Sequence, residues 1–256
     1  MISGLRARVV QHQQTLGSWI TLGHPAIAEI MAHAGFDWLV IDLEHSVITI
    51  GEAELLIRTI DSAGVAPLVR LTSNHPDQIK RVMDAGAVGV VVPMVKSRRD
   101  AEAAVAAVHY PPRGNRGVGL ARAQGYGTSF DAYREWLEHE AIVIVQIEHI
   151  EAVNDLEAIL TVDGVDGFII GPYDLSASLG VPGQFSHPAV VDALERIEQG
   201  TRRLNKPGGF HVVEPDPEAL AGHRRNGYTF LAYSLDSRLL DVGCRSGLNT
   251  ILKLTE

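Results

Sequence analysis

Cysteine is nearly absent: Cys244 is the only one in 256 residues, so no internal disulfide can form and no thiolate zinc cage is available. Lysine is scarce as well, found only at positions Lys80, Lys96, Lys206 and Lys253. By pattern Lys80 falls mid-helix, Lys206 precedes a strand and Lys253 lies near the end, which leaves Lys96 as the one candidate for the buried amine that an imine mechanism needs. Long apolar runs are missing too. A stretch such as 88–95 falls well short of the ~20 residues that span a bilayer, and residues 1–14 carry Arg6, Arg8 and His12 with no export-signal run behind them. Positive charge is in deficit, with 22 Lys and Arg against 31 Asp and Glu and a formal net charge of -9. That balance repels phosphate backbones and anionic membranes, so no nucleic acid and no membrane are expected as partners, and the reducing cytoplasm is the expected compartment. There is no Gly-x-Ser-x-Gly elbow, so nucleophilic hydrolysis has no visible nucleophile.

What is present is enough to build a sizeable core: 46% of the residues are hydrophobic and 21% charged, the composition of a soluble globular chain. The length suits a single α/β barrel filling residues 1–256. Short β-branched apolar runs alternate with segments of helical period, with glycine and proline at the joints. Strands are expected near 17–21, 38–42, 67–71, 89–94, 142–148, 167–170, 208–213 and 229–234. Runs such as Val90-Val91-Val92 and Ile142-Val143-Ile144-Val145 are apolar at consecutive positions, as strands buried on both faces require. Eight βα units predict a closed (β/α)8 TIM-type barrel of one domain. An open doubly wound sheet is the alternative, but the first strand is followed by Leu22-Gly23-His24-Pro25, which is no phosphate fingerprint. Segment 110–127, with Arg113, Arg116 and Arg122, reads either as a solvated connector or as a functional loop; its 114–119 stretch is a weak candidate for holding an anion.

In such a barrel the carboxyl ends of the strands line the active-site mouth. Those ends carry Asp42, Glu44 and His45, then Arg70, Gln146 and Glu148, Asp174, and His211. Glu148 and Asp174 are hard oxygen donors that suit an ion keeping several waters, Mg²⁺ or Mn²⁺ first, with Co²⁺ and Zn²⁺ left open. In the plainer reading Glu148 starts a helix and Asp174 is an N-cap. His45 lies three residues after Asp42, close enough for a carboxylate to hold one ring nitrogen and leave the other as a base. Arg70, fixed by a buried strand, either meets a carboxylate or developing enolate oxygen or closes a salt bridge within the barrel.

At these residues the sequence resembles the HpcH/HpaI aldolase family of metal-dependent pyruvate aldolases. The motifs that carry the resemblance run in order through Asp42-Leu43-Glu44-His45, Val69-Arg70, Val92-Pro93-Met94, Arg116-Gly117-Val118-Gly119, Val145-Gln146-Ile147-Glu148 and Gly171-Pro172-Tyr173-Asp174. The resemblance implies a reversible aldol cleavage of 4-hydroxy-2-oxo acids to pyruvate and an aldehyde. In that scheme Glu148 and Asp174 are metal ligands, His45 with Asp42 is the acid/base pair and Arg70 sits on the pyruvyl oxygen. It also implies Gln146 beside the ion, the backbone at Tyr173 and Asp174 on the pyruvate carboxylate, and a homo-hexamer. The same enolate machinery would serve an oxaloacetate decarboxylase or an acyl-CoA lyase, and a barrel that binds a keto acid without turnover is the non-catalytic alternative. The chain departs from the family pattern at Leu43, at His211 and at 233–236. His211 either touches the acceptor or product hydroxyls or is a satisfied barrel histidine.

Overall fold

A computed structural model describes residues 2–255; residues 1 and 256 of the expected single domain lie outside the described part. Eight parallel strands close into a barrel in chain order: β1 (Thr15–Ile20), β2 (Trp38–Asp42), β3 (Ala66–Arg70), β4 (Gly89–Val92), β5 (Ile142–Ile147), β6 (Gly167–Ile170), β7 (Gly208–Val212) and β8 (Phe230–Leu235). Helices between the strands form the outer ring, and the predicted (β/α)8 class is the observed one. Every residue of β2, β4, β5 and β6 is buried, which is why these strands read as unbroken apolar runs rather than alternating ones. Among the described residues no helix is long and apolar enough to cross a membrane.

Local chemistry starts the helices where the sequence breaks. His24, His75, His149 and His187 are N-caps, each with a ring nitrogen accepting a backbone N–H two residues on. In three of them proline follows at the first helical position, where its fixed φ and missing N–H cost nothing. These four of the chain's eleven histidines are therefore spoken for as caps. Thr49 and Glu52 make a reciprocal capping box at the start of Ile50–Ser62.

Under the barrel, the short helix Leu5–Val10 buries Leu5 and Val9. Its Arg6 donates to Asp166 at 2.7 Å, and the other oxygen of Asp166 accepts from Val143 N–H at 2.8 Å. Inside, Trp38 stacks on Phe230 with centroids 4.1 Å apart. Glycine is needed at Gly17, where a Cβ would come within 2.1 Å of the Trp38 ring.

The 110–127 segment is a strut rather than an anion loop. The Arg116 side chain is fully buried, donating to the Tyr133 hydroxyl at 2.7 Å and lying 4.3 Å from the centroid of the Tyr110 ring. Gln124 donates to the Tyr110 hydroxyl at 2.6 Å. Arg122 is bound to Asp61 at 2.6 Å and Arg113 to Glu138 at 3.3 Å. A guanidinium already paired with a carboxylate or wedged between aromatic rings has little left for a ligand, so the anion-binding expectation for 114–119 is corrected. The expected helix near 130–139 is there as Phe130–His139.

His109, next to this strut, is buried with Nδ1 unpartnered. Burial, reinforced by the charges of Arg113, Arg6 and Arg116, pushes its pKa down from 6.5 to about 3. The unfolded chain therefore takes up a proton near pH 6.5 that the folded one refuses until about pH 3, and stability falls as pH drops through that window. Wild type should lose about 2 kcal/mol more than His109→Gln between pH 7 and pH 5, at ~1.4 kcal/mol per pH unit below the unfolded value. Urea titrations at the two pH values check this; equal losses would show that His109 is protonated in the fold.

Candidate active site

The mouth at the carboxyl ends of the strands holds a cavity of about 280 Å³ lined by Trp19, Asp42, His45, Arg70, Gln146, Tyr173, Asp174 and His211, among others. Of the strand-end residues singled out from sequence, Glu44 and Glu148 are not in this lining; Glu148 lies just past the end of β5 and is 2% exposed. Its carboxylate is held from two sides: Oε1 accepts from Met94 N–H at 2.6 Å and Oε2 takes a short hydrogen bond from Gln146 Nε2. Met94 presents that amide with a left-handed φ of 53°, a conformation that costs a non-glycine residue energy and gathers at functional sites. Gly171, at the end of β6, has no room for a side chain, since a Cβ there would come within 2.6 Å of Glu148 Oε2.

The plainer readings of the two acids fall away. His149, not Glu148, caps the helix Ile150–Asn154. Asp174 is the third residue of Pro172–Ser178, whose N-cap is Gly171 with no side-chain cap, so Asp174 is left half-buried on the cavity wall.

Glu44 is the member that sequence reasoning underweighted. It sits two residues past β2, its Oε2 buried without a hydrogen bond and 3.3 Å from Arg70 Nη1, an ion pair without hydrogen-bond geometry. Burial pushes the Glu44 carboxyl up to about 7; Arg70 opposes that shift, while Asp42 and Asp174 add to it. Glu148 is likewise pushed up to about 7, first by burial and further by the charges of Glu44 and Asp174, against the Met94 amide. Three carboxylates thus share one corner with a single guanidinium. Among the described residues no group of three or more His, Cys, Asp or Glu side chains closes into a cage for an ion. The residues fit a partly solvated hard cation instead: oxygen donors, a deficit of positive charge, and Gln146 Oε1 buried beside Glu148 with no partner of its own. A divalent metal is the group this donor set suits.

Across the cavity the expected Asp42–His45 pairing takes a different form. The Asp42 carboxylate accepts from Arg70 Nε at 2.9 Å and Nη2 at 2.6 Å, and its Oδ1 also accepts the backbone N–H groups of Glu44 and His45. It therefore does not hold the His45 ring: a planar fork matching both oxygens outcompetes a single imidazole N–H. Burial by itself would raise the Asp42 carboxyl, but Arg70 and the two amides hold it below the usual range. Asp42 is a clamp on Arg70 and on the turn that carries His45. The His45 ring, exposed at the rim, has no hydrogen-bond partner among the described residues.

Trp19, which pattern alone would send to the core, lies under Arg70 with the guanidinium 4.5 Å from its ring centroid. His211 stacks on the same indole at 5.1 Å. Lys96 does not line the cavity; its ammonium lies 4.0 Å from Glu151, so no lysine is placed for an imine.

A match to the HpcH/HpaI aldolase/citrate lyase family spans residues 15–241. The chain is 39% identical over 229 residues, 89% of each chain, to a hydroxypyruvate/pyruvate aldolase of Sagittula stellata. It is 40% identical over 234 residues, 90% of this chain and 88% of the other, to a 4-hydroxy-2-oxo-heptane-1,7-dioate aldolase of Salmonella dublin. In three dimensions it is similar to an HpcH/HpaI aldolase/citrate lyase family protein from Burkholderia cenocepacia J2315, at TM-score 0.91 and 32% identity, covering 96% of this chain and 98% of that one. These matches place the barrel and its acid-lined mouth in the aldolase class of enzymes, the carbon–carbon lyases. The chain belongs to the HpcH/HpaI aldolase/citrate lyase family.

Removing one partner of a buried ion pair leaves the other uncompensated. Both Asp42→Ala and Arg70→Met should therefore destabilise the fold, Arg70→Met by about 3–5 kcal/mol because it leaves the 2% exposed Asp42 carboxylate without its cation, and Asp42→Ala by less because Arg70 keeps Glu44 3.3 Å away. Chemical denaturation of both variants checks the order; a larger loss in Asp42→Ala would mean that Glu44 gives Arg70 no compensation.

Proposed function

We propose that this aldolase cleaves 4-hydroxy-2-oxo acids reversibly to pyruvate and an aldehyde, with Glu148 and Asp174 holding a divalent ion, Mg²⁺ or Mn²⁺. The observation that carries this reading is the corner where the buried Glu148 and the half-buried Glu44 and Asp174 meet a guanidinium clamped by Asp42. When bound, the ion supplies Lewis-acid stabilisation for the negative charge that builds on the 2-oxo oxygen as the C3–C4 bond breaks.

The chain's own residues do the rest. Gln146 and the Met94 amide fix the Glu148 carboxylate so that its charge faces the cavity side. Arg70 spends two donors on Asp42 and keeps the remaining N–H groups of its fork for the substrate's oxygens, a preorganised charge partner for the enolate. Tyr173 and Asp174 lie in the first turn of Pro172–Ser178, where backbone N–H groups lack helical partners; these face the pyruvate carboxylate. His45, on its solvent-facing turn, takes the C4 hydroxyl proton directly or through one water, and the aldehyde leaves. The pyruvate enolate is then protonated at C3 from the same side. In reverse, His45 returns the proton to the new alkoxide.

A decarboxylase or acyl-CoA lyase would use the same enolate, but His45 as a base at the rim of the cavity favours aldol chemistry. A cytoplasmic setting agrees with the lone, exposed Cys244, which needs no oxidising compartment. A homo-hexamer is our reading of assembly. It accords with the last helix, Asp236–Thr255, which leaves Leu240, Leu248 and Leu254 more than half exposed.

Metal-free enzyme supplied with a panel of 4-hydroxy-2-oxo acids and coupled to pyruvate detection should be silent, and should regain activity with Mg²⁺ or Mn²⁺. His45→Ala in the refilled enzyme should lose roughly 10²–10⁴ in kcat. Turnover that survives complete metal removal, or His45→Ala at full rate, would overturn the assignment. Sedimentation of the intact chain should give six copies, and a variant ending before residue 246 should give a smaller species; an intact chain that sediments as a monomer would end the hexamer reading.

A further inference from the structure

The cavity wall is uneven in its chemistry. On the β2, β3, β5 and β6 side stand the acids, Gln146 and Arg70. On the β7–β8–β1 side the lining is Trp19, Thr21, His211, Val213 and Leu235, and only two of these offer a polar atom toward a ligand. Thr21 Oγ1 donates its proton to Asp236 at 2.7 Å. His211 Nε2 lies 2.9 Å from the Ser234 carbonyl, and a carbonyl can only accept, so Nε2 carries the ring hydrogen and Nδ1 keeps a bare lone pair. The Trp19 Nε1 donor is buried and has no partner among the described residues.

That carbonyl is placed by an irregularity in the barrel. Between β1 and β8 the register shifts, so that Gly17 pairs with Ala232 but Trp19 pairs with Leu235. One extra residue is accommodated on β8, with Ser234 at a left-handed φ of 52°. Ser18 Oγ donates to the same Ser234 oxygen at 3.2 Å and to Tyr233 O at 2.8 Å, while Ser234 Oγ donates to Val213 O at 3.0 Å. The ring of His211 is thereby fixed on one edge by the bulge and on its face by Trp19. It stays neutral, because burial brings its pKa down to about 4.

Building on the aldolase reading, we propose that this side is the subsite for the aldehyde fragment and that His211 Nδ1 accepts a hydrogen bond from a hydroxyl on that fragment. The accessible surface of this wall offers apolar atoms and lone pairs, with no cation of its own and its one unpartnered donor, Trp19 Nε1, buried. It therefore favours a neutral hydroxyaldehyde and disfavours an aldehyde that ends in a carboxylate, whose oxygens would meet lone pairs. An analogue with methyl in place of hydroxyl is disfavoured too, because it buries the Nδ1 acceptor unpaired.

The test runs the reaction in the synthetic direction with pyruvate and three aldehydes: glycolaldehyde, the similarly sized propionaldehyde, and succinic semialdehyde. Wild type should show the highest kcat/KM with glycolaldehyde. His211→Phe keeps a ring to stack on Trp19 and removes the acceptor, and its glycolaldehyde-to-propionaldehyde ratio should fall about 3–10-fold, the worth of one hydrogen bond. A wild-type preference for succinic semialdehyde, or a ratio unchanged by His211→Phe, would overturn the subsite while leaving the aldolase standing. The wild-type ranking decides the matter even where the variant does not fold. Absence of product with every aldehyde would remove the aldolase reading and the subsite together.

Discussion

Negative charge held out of water governs the whole mouth of this barrel. Glu44 and Glu148 are buried near Asp174, and the cost of desolvating them shows in carboxyls displaced to about 7. One guanidinium is available to offset this, and two of its donors are already committed to Asp42. Oxygens in such an interior suit a cation, and in the proposed function the same unbalanced charge that burdens the fold would hold the metal and face the reaction's developing charge. The Met94 amide and Gln146 hold Glu148 in place, and the lack of a side chain at Gly171 leaves room for it. The rigid, apolar strands on which these groups stand keep them from relaxing into solvent.

Asp42 shows why one geometry prevails over another that spacing allows equally well. It could reach the His45 ring three residues on or the Arg70 fork in the neighbouring strand, where the β2–β3 register sets the two residues side by side. A bidentate, charge-assisted pair wins over a single bond to a ring that gains from exposure. The consequence is a division of labour: Asp42 organises the cation and the turn, and His45 stays free at the rim.

Much of the barrel could be read from the chain because its physics is local. Strands buried on both faces must be apolar at every position, and the breaks between them carry His-Pro or Thr-x-x-Glu capping signals. Glu148, just past β5, and Arg70, the last residue of β3, stand out in the sequence for a related reason: charged groups have little cause to end buried strands unless something uses them. What stayed hidden depends on partners that are distant in sequence. Arg116 is a loop arginine until Tyr110 and Tyr133 close around it. Trp19 looks like core until Arg70 and His211 lie on its ring. Glu44 is masked by its two neighbours in Asp42-Leu43-Glu44-His45, since adjacency in a turn does not say which carboxylate faces inward.

The irregular pairing of β1 with β8 has a bearing on how such an enzyme diversifies. The acids and Arg70 belong to β2, β3, β5 and β6 and the turns that follow them. The seam where the last stave meets the first carries an extra residue and a strained serine. On the subsite reading, changes at Ser234 and its β8 neighbours would reshape the wall that faces the aldehyde while Asp42, Arg70, Gln146 and Glu148 keep their own strands.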